Sequence, residues 1–263
     1  MTEVKKIDKT SRAQVIEAIR SDAIRHVFAF YDIQYDLEHT TMHAVFKSER
    51  LEGYVLAYTA TDVPSVILEC PENIAAMLLE KAPESNFIMH APPHLLAAVQ
   101  EKYPSEKHYF ESWMLVKKDE AEYFRSDRVR KLEGKEDASR LADLLSSRKD
   151  RPKRMLKRYT DWISKMPLYG VFLGDELVSY AGSFIQLPQV WMIGGVYTAP
   201  KHRSNGYATW ATSAVTEQAL KSAEAAALFA RSDNHAAIKV YKRIGYKKIG
   251  EKVWVDVGTG LRP

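Results

Sequence analysis

The chain has 263 residues, of which 46% are hydrophobic and 27% charged, enough for a buried core and unlike a disordered or fibrous polypeptide. Its 38 basic and 34 acidic residues leave a net charge of +4, too balanced to point to nucleic acid as the main partner. One cysteine, Cys70, excludes an intrachain disulfide, and no apolar run has membrane-spanning length or resembles a signal-peptide core, so a cytoplasmic protein is expected.

Apolar residues at helical spacing (Val15, Ile16, Ile19, Ile24, Val27, Phe28) predict helix over Ser11–Asp36. Strand-like runs follow at Met42–Phe46, Tyr54–Tyr58 and Val66–Leu68. Pro71-Glu72-Asn73 opens a helix through Leu79, Phe87–Met89 reads as a buried strand, Leu95–Tyr103 as a helix and Trp113–Val116 as a strand. The charged stretch 118–127 reads as a linker.

The second half repeats this order. A strand at Val129–Leu132 precedes helices at Asp137–Ser147 and Arg154–Met166, the latter with Met155, Tyr159, Trp162, Ile163 and Met166 on one face. Tyr169–Leu173 and Leu177–Gly182 form a hairpin about Gly174-Asp175, and Gln189–Thr198 is a long strand. Helix at Thr209–Ser222, strand at Ala227–Ala230, helix at Ala236–Ile244 and a strand pair over Lys248–Val257 complete it. In both halves a strand and a helix lead to a strand bearing a tryptophan, Trp113 or Trp254, which is expected to close its own unit. The division expected is 1–117, linker 118–127 and 128–263.

The segment richest in chemistry is Val196-Tyr197-Thr198-Ala199-Pro200-Lys201-His202-Arg203-Ser204-Asn205-Gly206-Tyr207-Ala208-Thr209. A strand turning tightly into a helix leaves backbone N–H groups pointing one way, and the helix dipole makes that place favourable for an anion. Gly206 and Ala208 let a phosphate approach the backbone, Lys201, His202 and Arg203 add positive charge, and a pyrophosphate suits the turn. Gly194-Gly195 inside the preceding strand suits a bulge.

Arg203-x-x-Gly206-x-Ala208 resembles the (Arg/Gln)-x-x-Gly-x-(Gly/Ala) motif of the GNAT superfamily of acetyltransferases, and the longer string from Val196 to Ala208 looks like its glycine N-acyltransferase-like branch. Asn234 and Tyr241-Lys242-Arg243-Ile244-Gly245-Tyr246 look like the family's second signature. The resemblance covers only the second half. It implies an α/β layered fold with a mixed, mostly antiparallel central sheet flanked by helices, in two tandem GNAT-like halves of which the first is degenerate. It also implies an N-acetyltransferase using acetyl-CoA as cosubstrate and no metal, with a primary amine of a small molecule or peptide as acceptor. By the same resemblance Val196, Tyr197 and Thr198 would pair with the pantetheine arm, and Arg203, Ser204, Asn205, Gly206, Tyr207, Ala208 and Thr209 would hold the pyrophosphate. Asn234 would contribute to the cofactor site, and Tyr241 would serve both as a cofactor contact and as the general acid for the departing thiolate.

The strand Gln189–Tyr197 carries no carboxylate, so it offers no general base. Asp233 and Glu69 are candidates, each read as a solvated surface carboxylate. That gap leaves open a non-catalytic acyl-CoA-binding sensor. A peptide-ligating acyltransferase using aminoacyl-tRNA would need a more basic surface. The basic run Arg148-Lys149-Asp150-Arg151-Pro152-Lys153-Arg154 is read as a solvated helix start, and Tyr159, Trp162 and Tyr169 as candidates to stack on the acceptor. In the first half the turn Glu69-Cys70-Pro71-Glu72-Asn73 is acidic and glycine-free, unsuited to a pyrophosphate, and Val99 stands where Tyr241 stands in the second.

Overall fold

The computed structural model describes residues 3–104, 106–148 and 156–260. The chain opens with β1 (Glu3–Lys6), a strand that the mixed charges of the N-terminus had concealed. The helix expected over Ser11–Asp36 is two, α1 (Arg12–Arg20) and α2 (Val27–Tyr35). Between them the Asp22 carboxylate accepts from the backbone N–H of Arg25 at 3.2 Å, a local bond that competes with helix continuation.

A tight hairpin joins β2 (Thr40–Lys47) to β3 (Arg50–Tyr58), with both turn residues, Ser48 and Glu49, at positive φ as such turns require. Then come β4 (Ser65–Glu69), α3 (Ala75–Leu79), β5 (Phe87–Ala91), α4 (Leu96–Lys102) and β6 (Lys107–Lys117). The rest of the chain is β7 (Val129–Lys131), α5 (Gly134–Ser146), α6 (Leu156–Lys165), β8 (Leu168–Leu173), β9 (Glu176–Gln186), β10 (Val190–Thr198), α7 (Tyr207–Ser222), β11 (Ala225–Arg231), α8 (His235–Ile244) and β12 (Lys247–Val257). The expected closing strand pair is thus the single strand β12. Residues 149–155, which hold most of the basic run and Met155, lie outside the described residues. No described helix is long and apolar enough to cross a membrane.

The chain forms two compact units, one drawn from 1–112 with 250–262, the other from 113–249. In the first, the strand order is β1-β2-β3-β4-β5-β12, antiparallel throughout except for the parallel pair β4–β5. Its core includes Val66, Leu68, Leu78, Phe87, Met89, Val99 and Val253, so Val99 is a packing residue. In the second, the order is β6-β11-β10-β9-β8-β7, with β10 and β11 parallel. Helices flank a mostly antiparallel central sheet in each, as the sequence led us to expect.

Two expectations about the division are corrected. Trp254 lies in the first unit, where β12 pairs with β5 and the indole meets the His90 ring edge-on at 5.0 Å. Trp113 lies in the second, stacked on Phe229 at 5.5 Å. Alternation of apolar residues identifies a strand but not the sheet edge it pairs with, so the tryptophan strands were assigned to the wrong halves. Stretch 118–127 is also no free tether. Its Phe124 N–H donates to Ser213 Oγ at 2.7 Å, Glu122 N–H to the Ile244 carbonyl at 3.0 Å, and Arg125 pairs with Glu217. Its charges point outward while its backbone is bonded within the second unit.

Gly245 ends α8 in a left-handed conformation, φ 105°, with Tyr246 N–H bonded to the Tyr241 carbonyl. A Cβ there would press into the carbonyl oxygen of Glu120. Gly245→Ala is therefore expected to cost about 2–4 kcal/mol of stability, backbone strain and clash together. Urea unfolding checks it: the midpoint should fall with an unchanged slope.

Candidate functional site

The site is built around β10. One edge pairs with β11 for only three residues, Val190, Trp191 and Met192 against Ala225, Ala226 and Ala227. Beyond Met192 that ladder ends, and the backbone from Ile193 to Thr198 has no paired residue on that edge among the described residues. An unpaired strand edge is a row of donors and acceptors ready for an extended partner. The other edge pairs with β9 through two irregularities. Phe184 of β9 is skipped between Met192 and Ile193, and Gly195 and Val196 are skipped between Gly194 and Tyr197. Gly195 has φ 67°, and a Cβ there would approach the Tyr180 hydroxyl to 3.0 Å, so the bulge expected at Gly194-Gly195 is present and needs glycine.

Tyr197 and Thr198 are tied into the surrounding unit. The Tyr197 hydroxyl bonds Ser147 Oγ at 2.7 Å, and the Arg148 guanidinium lies 5.2 Å from its ring. Thr198 Oγ1 bonds Ser179 Oγ at 2.8 Å, and its carbonyl accepts from Arg203 Nε at 3.3 Å. Arg203 is thus drawn back to the strand while its side chain remains exposed. Lys201 pairs with Glu176 at 2.7 Å.

From there the chain turns through Ser204 at φ 66° and Gly206 at φ 81° into α7. Asn205 folds its amide back onto the carbonyls of His202 and Arg203 at 3.2 and 3.0 Å, stapling the loop. Gly206 is the N-cap and no side chain caps the helix, so the N–H groups of Tyr207, Ala208 and Thr209 face outward without a partner from the cap. Nothing lies within 4 Å of where a Gly206 Cβ would stand. Open space at Gly206, N–H groups left uncapped and the positive end of a 16-residue helix make an anion seat. Thr209 is buried, so within this turn it offers its N–H rather than its hydroxyl.

Asn234 caps α8, its side-chain oxygen accepting from Ala237 N–H at 3.1 Å. Tyr241, seven residues on, is 7% exposed and meets Tyr246 edge-on at 6.1 Å. Burial pushes its phenol up to about 12, and its hydroxyl has no hydrogen-bond partner among the described residues. It is therefore protonated at neutral pH with its donor uncommitted.

The candidate bases divide. Asp233 is exposed and paired with Arg231, as expected of a surface carboxylate. Glu69 is not solvated: it is 4% exposed in the first unit, bonded to Arg25 and Lys252, because a carboxylate at a strand end under two cations can be buried. Of the aromatic trio that could either stack on the acceptor or pack in the core, Tyr159 is buried and Trp162 and Tyr169 are half-buried. Trp162 packs against Tyr159, and Tyr169 packs on the neighbouring core. Phe184 of β9, beside the bulge, is 43% exposed, and its ring lies 2.6 Å from where a Gly194 Cβ would be. The sequence held no signal for it, since a bulge is known only once the register is known.

Residues 168–255 match the FR47-like protein family. No curated protein matches the sequence. Among solved structures, a Drosophila protein is 14% identical over 97% of this chain and 98% of its own, with a TM-score of 0.73. A tandem GNAT protein from the clavulanic acid biosynthesis pathway is 12% identical over the whole of both chains, with a TM-score of 0.61. A GCN5-related N-acetyltransferase from Kribbella flavida is 17% identical over 80% of this chain and 90% of its own, with a TM-score of 0.60. The chain thus has the fold of these GNAT proteins, with two GNAT-like halves, and its residues 168–255 are FR47-like.

Proposed function

We propose that the second unit is an N-acetyltransferase that binds acetyl-CoA and passes its acetyl group to the primary amine of a small molecule or peptide. The observation that carries this reading is the pairing of two features on one strand: the open edge of β10 beyond Met192 and the anion seat where that strand turns into α7. A pantetheine arm is an extended chain of amides and a pyrophosphate is an anion, so one ligand satisfies both. The motif string Val196–Ala208 further supports the glycine N-acyltransferase-like branch.

In the reaction the amine nitrogen attacks the thioester carbonyl, a C–N bond forms and the C–S bond breaks. Backbone N–H groups of bulged β10 would stabilise charge on the carbonyl oxygen. Tyr241 donates its phenolic proton to the departing sulfur and recovers one, through water, from the nitrogen. No carboxylate lies on β10, so the acceptor enters as the neutral amine or loses its proton to water. Phe184 supports an acceptor with an apolar flank beside the amine.

Release of free thiol from acetyl-CoA, followed against a panel of amino acids, aryl- and alkylamines, polyamines, aminoglycosides and peptides, tests this. Turnover with at least one amine is the expected result, and apolar-flanked amines should lead. Tight binding of acetyl-CoA without thiol release from any of them would replace the enzyme with an acyl-CoA sensor.

A further inference from the structure

The first unit contains a cavity of about 770 Å³ that the reading above does not use. It lies among α1, the turn into α2, the β2–β3 hairpin and the end of β4. Its floor is organised by Glu69. One oxygen accepts from Arg25 Nε at 3.0 Å and from Arg25 Nη2, and the other accepts from Lys252 Nζ. Both oxygens of Glu69 are thereby committed to cations. An incoming ammonium would have to displace one of them, whereas an incoming acceptor finds Arg25 Nη1 without a bond to the described residues.

A second donor stands beside it. Tyr54 is 1% exposed, and the partner of its hydroxyl is His26 Nδ1 at 2.8 Å. A buried hydroxyl must place its proton, so it donates to Nδ1 and fixes the tautomer with hydrogen on Nε2. Burial lowers the His26 pKa and keeps the ring neutral. His26 lines the cavity, and that N–H is the donor its ring has left.

The rim has the opposite character. Glu49 and Glu52 stand there beside Arg50, with Glu17, which pairs with Arg20 at 3.8 Å. A phosphorylated ligand does not suit the place. β4 runs into Cys70-Pro71-Glu72, where Pro71 lacks an N–H, the following helical turn is three residues long, and neither a glycine nor a left-handed residue makes a concavity. Cys70 is no nucleophile here, since burial pushes its thiol up to about 12.

We propose that this cavity is a second ligand site, for a small zwitterion of the α-amino-acid class, with its carboxylate inward on Arg25 and His26 and its ammonium outward to the glutamate rim. The site uses residues of the first unit alone and stands whether or not the second unit acetylates anything.

Titration calorimetry of the intact protein with each of the twenty amino acids tests it. At least one should bind, and its amide and its N-acetyl derivative should each bind about tenfold or more weakly, since each removes one of the two charges. Arg25→Met should weaken the amino acid by a similar factor while Lys252 still neutralises Glu69. Should that variant fail to fold, Tyr54→Phe, which frees the His26 tautomer without touching a charge, should weaken binding instead. Gly206→Glu should leave the affinity unchanged, and acetyl-CoA should not compete. The proposal is overturned by no binding up to about 10 mM, by an amide that binds as well as its parent amino acid, or by loss of binding in Gly206→Glu, which would move the ligand to the second unit.

Discussion

Gly206→Glu is expected to abolish acetyl-CoA binding. The left-handed Gly206 ends the loop whose outward N–H groups form the anion seat, and the space beyond its Cα is open. A Cβ there meets no atom of the described residues within 4 Å, so the fold should tolerate the change apart from the strain of a positive φ, about 1 kcal/mol. The glutamate carboxylate, however, would occupy the place proposed for the pyrophosphate and oppose it with like charge. Gly206→Ala separates the two effects. It carries the strain without the charge and should weaken binding by about fivefold at most. Titration of both variants with acetyl-CoA decides the matter, and unchanged affinity in Gly206→Glu removes the pyrophosphate from this loop.

Tyr241→Phe is expected to lower kcat by about 10- to 1000-fold with little change in affinity for acetyl-CoA. The ring keeps its edge contact with Tyr246, and the hydroxyl that is lost has no bond to the described residues, so stability should hardly move. Thiol release under conditions where chemistry limits turnover gives the readout, and a near-normal kcat would make the tyrosine a packing residue. The pH profile follows from the same burial. A phenol at about 12 stays protonated across the working range, so no alkaline fall in kcat below that value should come from Tyr241. Its folded pKa lies above the ordinary 10, so the protonated form favours the folded state. That contribution is intact below pH 10 and is lost as pH rises from about 10 to 12.

The motif residues were legible because their chemistry is local. Gly206, Arg203 and the N-terminus of α7 lie within a few positions of one another, and a strand turning into a helix forces their arrangement. Gly194-Gly195 told of a bulge for the same reason: glycine is needed where φ is positive. Asn234 was legible as part of a signature, although the structure shows it at work as a helix cap. What stayed hidden depends on register and pairing. Phe184 alternates like any strand residue until the ladder shows that it is skipped. Glu69 looks like a surface carboxylate until Lys252, 183 positions later in the chain, is found beside it. The tryptophan strands were found, but their partners were not, because many edges accept an alternating strand.

The placing of β12 has a consequence for how the molecule is made. Its residues beyond Gly250 pair with β5, yet they follow the whole second unit in the chain. A ribosome therefore exposes β5 with one edge bare while well over a hundred further residues are synthesised. During that interval the first unit holds Glu69 with only one of its two cations, and an apolar strand, Phe87–Ala91, without its last neighbour. The unit begun first is closed last, and the time between is when this protein most needs protection from pairing with a stranger.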